Sequence, residues 1–224
     1  TQSIASKFAS DKKDLIFAIS TPSAQAAFNA TKDIPILITA VSDPVAAGLV
    51  KTLEKPGTNV SGTSDFVSVD KGLELLKIFA PKAKTIGVMY NTSEVNSKVQ
   101  VDALKEYASK NGFKVVEKGI TTSNEVNQGI SSLVGKIDVL YVPTDNLVAS
   151  SMPIVSKIAT ENKIPVIAAE SGPVEKGALA CQGINYEKLG YKTGEMAVKI
   201  LNGESVSDMP VATSDDTDII VNED

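Results

Sequence analysis

Apolar residues along this chain come in short continuous runs, separated by stretches whose apolar positions recur at helical spacing. Residues 2–10 put Ile4 and Phe8 on one face, as in a helix. The run 15–19 (LIFAI) predicts a strand covered on both faces. Residues 23–32 are Ala-rich and predict a helix, with Thr21 or Ser20 near its N-cap and Pro22 in its first turn. A second buried strand comes at 36–40, and 44–53 reads as a helix that ends before Pro56 and Gly57. The short polar stretch 59–66 predicts a crossing strand. Beyond it come an amphipathic helix at 69–79, strands at 85–90 and 113–116, a long helix at 94–111 closed by Gly112, and a helix at 124–134. Strands at 138–142, 166–169 and 177–183, a helix at 188–201 and a last strand at 218–221 complete the series.

Part of this pattern occurs twice. Residues 14–20 (DLIFAIS) lead through Thr21, a helical stretch and the strand 34–39 (IPILIT) to Ser42 and Asp43. Residues 138–143 (DVLYVP) lead through Thr144, a helical stretch and the strand 164–169 (IPVIAA) to Glu170. Strands alternating with helices of this length predict an α/β protein with parallel sheets and helices on both faces. Two doubly wound lobes facing one another would leave a cleft for a small molecule. The first half has fewer strand–turn units than the second and begins inside a helix, so its opening strand–helix unit is expected to be missing.

Composition narrows the function. The chain has 224 residues, 22 basic and 27 acidic, with no basic run, which argues against a nucleic-acid partner. No apolar run reaches the roughly 18 residues of a membrane span. There is no histidine, so a serine–histidine–acid triad is excluded within the chain. Cys181 is alone, with neither a disulfide partner nor a thiolate cage for a metal. Neither Gly-rich phosphate-binding motif is present. No catalytic residue, metal or cofactor is expected.

In open parallel sheets, ligands sit beyond the carboxyl ends of the strands. That rule selects the polar turns. Ser20, Thr21 and Ser23 lie at a helix N-terminus, where free N–H groups and the helix dipole suit a carboxylate. Asn91, Thr92 and Ser93 invite the same reading. Ser42 and Asp43 line the expected cleft or cap the helix expected after them. Asp65, Asp145 and Glu170 are the acids placed to receive a ligand ammonium, because a buried carboxylate needs a cationic partner. Thr144 and Asn146 flank Asp145 in the same turn. The acids come from separate turns without a positioned nucleophile, which argues against acid–base catalysis.

Residues 36–44 (ILITAVSDP), 57–65 (GTNVSGTSD), 141–146 (YVPTDN), 164–165 and 183–190 (GINYEKLG) resemble the ABC-transporter substrate-binding proteins of the tryptophan/tyrosine-uptake type. The similarity runs through the whole chain in one order. It implies a type I periplasmic-binding-protein fold. Lobe one would hold 1–62 and 186–203, lobe two 67–180 and 216–224, with a hinge near 63–66, 181–185 and 204–215. The implied function is the solute-binding component of an importer, taking an amino acid-like ligand, aromatic by preference, and delivering it to a membrane permease. The implied protein is a monomer, extracytoplasmic, and periplasmic or lipid-anchored at the outer face of the cell membrane. The same fold also serves as the ligand-sensing core of transcription regulators and receptors, which is the alternative reading. By that resemblance, the family's opening strand and helix and its C-terminal tail are expected to lie outside residues 1–224.

Overall fold

The computed structural model describes residues 1–214 and 216–223. Residue 215 of the expected hinge and residue 224 of the expected lobe two lie outside the described residues. The chain divides into two compact units: unit 1 holds Thr1–Phe66 and Ile184–Asp216, and unit 2 holds Val67–Gly183 and Thr217–Asp224.

Unit 1 is built on a parallel sheet of β1 (Ile16–Ile19), β2 (Ile36–Thr39) and β3 (Val60–Gly62), in that order. Ile16 pairs with Ile36, and Ile36 with Val60. β2 is the central strand, and Ile36, Leu37 and Ile38 are fully buried. Strand alternation sends Ile36 and Ile38 to one face, where they meet Ala24 and Ala27 of α2 (Thr21–Ala30). Leu37 points to the other face, against Met196, Ala197 and Ile200 of α9 (Tyr186–Leu201). Helix α1 (Gln2–Ser10) packs beside α2.

Three expectations fail in unit 1. Residues 44–53 form turns rather than a helix. One helical turn begins after Asp43, but Gly48 adopts φ +72, in the left-handed region, and turns the chain away. Residues 59–66 are not a crossing strand, since 60–62 add to the sheet beside β2. β1 is buried on one face only: Phe17 is 51% and Ile19 65% exposed, because β1 is the edge strand and α9 covers the neighbouring β2. Residues 204–214, expected in the hinge, group with unit 1, with Met209 and Val211 buried in its two clusters.

Unit 2 carries a six-stranded sheet in the order β5-β4-β6-β7-β8-β9. The strands are β4 (Thr85–Asn91), β5 (Lys114–Ile120), β6 (Val139–Val142), β7 (Val166–Ala168), β8 (Ala180–Ile184) and β9 (Thr217–Val221). Every pairing from β5 to β8 is parallel. Val139 and Tyr141 of β6 face α3 (Val69–Phe79) and α4 (Val95–Asn111). Leu140 and Val142 face α5 (Val126–Leu133), α6 (Asn146–Ser150) and α7 (Met152–Glu161). Gly112 ends α4 in the left-handed conformation that its sequence position predicts. The short α8 (Ser171–Val174) comes after β7.

Because β1 to β3 run parallel in one sheet and β4 to β8 in the other, the carboxyl ends of those strands share one edge of each sheet. The polar turns of unit 1 therefore gather at one edge of its sheet, and those of unit 2 at one edge of the other.

Candidate functional site

In unit 1, three turns leave the carboxyl ends of β1, β2 and β3. Ser20 is the N-cap of α2, yet it makes no side-chain cap and sits at φ 73, ψ 156. That backbone region is almost confined to glycine and costs a serine about 1–3 kcal/mol. The strained turn is pinned by Ser20 N–H donating to the Thr39 carbonyl at 3.1 Å, while the Ser20 carbonyl accepts from Ala24 N–H at 3.0 Å. Thr21 is buried and Ser23 half-buried in the first turn of α2, whose leading N–H groups have no acceptor within the helix. Asp43 is a turn cap: its Oδ1 accepts from the N–H groups of Val45 at 3.0 Å and Ala46 at 2.8 Å.

Asp65 is the outlier of unit 1. It is 5% exposed. The Tyr186 hydroxyl, from the first turn of α9, donates to its Oδ2 at 2.9 Å, while its Oδ1 has no partner. Ser64 Oγ donates to the Ser42 carbonyl at 3.0 Å, which draws buried Ser42 to the same place. The Ser42 hydroxyl lies beside the Asp65 carboxyl without reaching hydrogen-bond geometry to Oδ1. Burial raises the Asp65 pKa above the ordinary carboxylate range, and the hydroxyls of Tyr186 and Ser42 oppose it in part.

In unit 2, the turns after β4 and β6 are knitted into one polar network. Asn91 N–H and Ser97 Oγ each donate to Asp145 Oδ2 at 2.6 Å, and Val148 N–H donates to Asp145 Oδ1 at 2.9 Å. Asp145 is thereby the N-cap of α6, with both oxygens occupied by the protein. Burial raises its pKa, the three hydrogen bonds lower it, and Glu94 nearby adds to the rise. Glu94, 6% exposed, accepts from Asn91 Nδ2 at 3.0 Å, Asn96 Nδ2 at 3.1 Å and Asn146 Nδ2 at 2.6 Å. Gln100 Nε2 donates to the Thr144 hydroxyl, and Gln100 Oε1 accepts from Thr144 N–H at 2.9 Å. Asn96 Nδ2 also donates to the Thr144 carbonyl at 2.7 Å, but Asn96 Oδ1 is buried without a partner. Thr92 and Ser93 are exposed, and Thr92 N–H continues the β5 ladder to Ile120. Glu170 is the N-cap of α8 and acts electrostatically on Cys181.

The turn at Asn91–Ser93 differs from its expectation in one respect. Helix α4 starts at Val95, and its N-cap is the acid Glu94. A buried acid at that end makes the turn a poorer seat for a carboxylate and a better one for a cation.

Sequence patterning missed Glu94, Asn96, Ser97, Gln100 and Tyr186. A signal for three of them exists. The buried stripe of α4 runs back from Ala108 and Leu104 through Val101 and Gln100 to Ser97 and Asn96, so polar residues stand where its apolar spacing should continue. Tyr186 carried no such mark.

Four buried polar side-chain atoms lack a partner among the described residues: Asn59 Oδ1, Asp65 Oδ1, Asn96 Oδ1 and Tyr107 Oη. Asn59 precedes β3 and Tyr107 stands in the last two turns of α4, both away from the carboxyl edges. Asp65 and Asn96 stand at those edges, each an acceptor awaiting a donor. Among the described residues, no group of three or more His, Cys, Asp or Glu is placed to hold a metal, and no helix is long and apolar enough to cross a membrane.

Removing the Asp145 carboxylate strands two N–H groups and a hydroxyl and uncaps α6. The Asp145→Ala variant is expected to lose about 2–4 kcal/mol of unit 2 stability, measured as a lower urea midpoint by circular dichroism.

Hydroxyl-rich turns and two orphaned acceptors thus stand at the carboxyl edges of the parallel strands. A family model described as ABC transporter substrate binding protein matches residues 1–224, and the chain belongs to that family. Its fold is the type I periplasmic-binding-protein fold. A relative from Clostridioides difficile (strain R20291), named tyrosine-binding protein, is 75% identical over 224 residues, covering 100% of this chain and 65% of that protein. The chain thus spans slightly less than two thirds of that relative's length. A crystal structure described as an ABC domain in complex with L-Trp, from Streptococcus pneumonia, matches with a TM-score of 0.96 and 37% identity, over 100% of this chain and 77% of that one. A conserved domain protein from Vibrio cholerae O1 biovar El Tor matches with a TM-score of 0.94 and 38% identity, over 99% and 76%.

Proposed function

We propose that this chain is the ligand-holding part of an extracytoplasmic solute-binding protein that takes up an aromatic amino acid, tyrosine first, for the membrane permease of an ABC importer. The observation that carries this reading is Asp65: a buried carboxyl with one oxygen left without a donor and, among the described residues, no cation acting on it. An amino acid ammonium supplies three N–H donors and a charge to such a group. The relative named as a tyrosine-binding protein and the structure with L-Trp support an aromatic zwitterion as the ligand.

In this reading the ligand ammonium meets Asp65, and the ligand carboxylate takes the N–H groups that open α2 at Thr21 and Ser23. Within unit 2 taken by itself, Asn91, Thr144 and Asn146 are the polar-turn residues offered to a small molecule, and Asn96 Oδ1 is an acceptor without a donor. Ligand binding selects whichever arrangement of the protein offers the most contacts. The chain acts by binding rather than by catalysis, as a monomer, and is lipid-anchored or periplasmic.

A thermal-shift panel on the full-length protein tests this. At a hundredfold excess over Kd, L-tyrosine, L-tryptophan or L-phenylalanine is expected to raise Tm by about 5–10 °C. N-acetyl-L-tyrosine, which has no ammonium, should leave Tm unchanged. If no zwitterion shifts Tm, the reading is wrong.

A further inference from the structure

Asp65 also poses a problem of charge. The groups acting on its carboxyl are the Tyr186 hydroxyl from α9, the Ser42 hydroxyl from the turn after β2, and its own backbone N–H. No lysine and no second carboxylate is among them. A carboxylate enclosed this way, with one hydrogen bond and no cation, is costly to ionise. The neutral acid is not, because the proton can sit on Oδ1 while Oδ2 keeps the Tyr186 hydrogen bond. An arriving ammonium reverses the balance by placing a full positive charge against the same carboxyl.

We propose that Asp65 rests as a carboxylic acid and is ionised by its ligand, so that each amino acid bound expels one proton to solvent. This rests on the proposal that the ligand is an amino acid. The step is balanced: the ligand keeps its three N–H bonds, the Asp65 O–H bond breaks, and the proton passes to buffer. Tyr186 is a positioning residue here, because its hydroxyl steadies Oδ2 in both states and favours the ionised form. The direction agrees with burial, which raises the Asp65 pKa above the ordinary carboxylate range.

Linkage then fixes the pH response. Below the pKa of unliganded Asp65, ligand must displace a proton, and the apparent Kd for L-tyrosine rises about tenfold per pH unit lowered. Above that pKa the affinity is flat. Tyr186→Phe removes a hydrogen bond to the ionised form, so the break between the two regimes should move to higher pH.

Titration calorimetry of the full-length protein with L-tyrosine, in two buffers of different ionisation enthalpy, reads the proton directly. The expected result is close to one proton released per ligand at a pH below the break. The infrared carbonyl band of a protonated acid should be present without ligand, vanish when L-tyrosine is added, and be absent from unliganded Asp65→Asn. Tight binding with a heat independent of buffer and a Kd flat in pH would overturn the proton coupling and leave the amino acid reading standing. A pH dependence unmoved by Tyr186→Phe, with the infrared band still present in Asp65→Asn, would overturn the assignment to Asp65. No heat with L-tyrosine, L-tryptophan or L-phenylalanine at any pH would overturn both readings.

Discussion

Asp65→Asn is expected to weaken L-tyrosine binding by about 30-fold or more and, at the same time, to make the unliganded protein more stable at neutral pH. Both effects come from one carboxyl. Withdrawing the charge partner of a buried ammonium costs about 2–5 kcal/mol of binding free energy. For the unliganded protein the sign is opposite. The pKa of Asp65 in the fold lies above its unfolded value, so the folded state holds the proton more tightly. The stability contributed by that proton is complete at pH values below the unfolded pKa, and it is lost as pH rises towards the folded pKa. Asparagine removes this loss while keeping an oxygen for the Tyr186 hydroxyl. The Tm of the variant should therefore exceed that of the parent by a margin that grows as pH rises from the unfolded pKa of the carboxyl through its raised folded pKa. Differential scanning calorimetry and ligand titration on the same samples check the pair. A variant that binds L-tyrosine as well as the parent would remove Asp65 from the site.

Gly62→Ala is expected to be the most destabilising single-methyl change in unit 1, costing more than about 4 kcal/mol, a size that points to a definite steric cause. Gly62 ends β3 at φ +139, a conformation that L side chains rarely adopt. It stands opposite Ile38 in the parallel ladder. An added Cβ would lie 2.6 Å from the Ile38 nitrogen and closer still to the Ile38 carbonyl oxygen. These are backbone atoms of the central, fully buried strand, so no rotamer change relieves the clash. The ladder must open, and Thr63, Ser64 and Asp65 come directly after it in the chain. Hydrogen exchange should show lost protection at 36–39 and 60–64 in the variant. Unchanged protection there would mean that the close approach of β2 and β3 is not what the glycine serves.

Much of the architecture was readable from local pattern. Strand and helix identity depend on spacings of two and 3.6 residues within one segment, and caps such as Gly112 act within a single turn. Most of the longer elements from α1 to β9 and the α/β class were readable for that reason, whereas the short α8 stands where a polar turn was expected and α6 and α7 divide what read as one helical stretch. Where local pattern misled, a second force intervened. At 44–53 the helical spacing lost to a left-handed Gly48. At 15–19 a continuous apolar run suggested cover on both faces, but its position at the sheet edge leaves Phe17 and Ile19 in solvent.

The candidate site divides in the same way. The sequence alone located the polar turns, because parallel α/β chains put them after each strand, and it named Asp65 and Asp145 as equal candidates for a ligand cation. Only the tertiary structure separated the two. Asp145 is filled by Asn91, Ser97 and Val148, the first of them 54 residues away, whereas Asp65 receives one hydroxyl from Tyr186, 121 residues away, and keeps an oxygen bare. A carboxyl's free capacity depends on which donors the whole fold brings within 3 Å, and partners so distant along the chain leave no periodic trace in sequence.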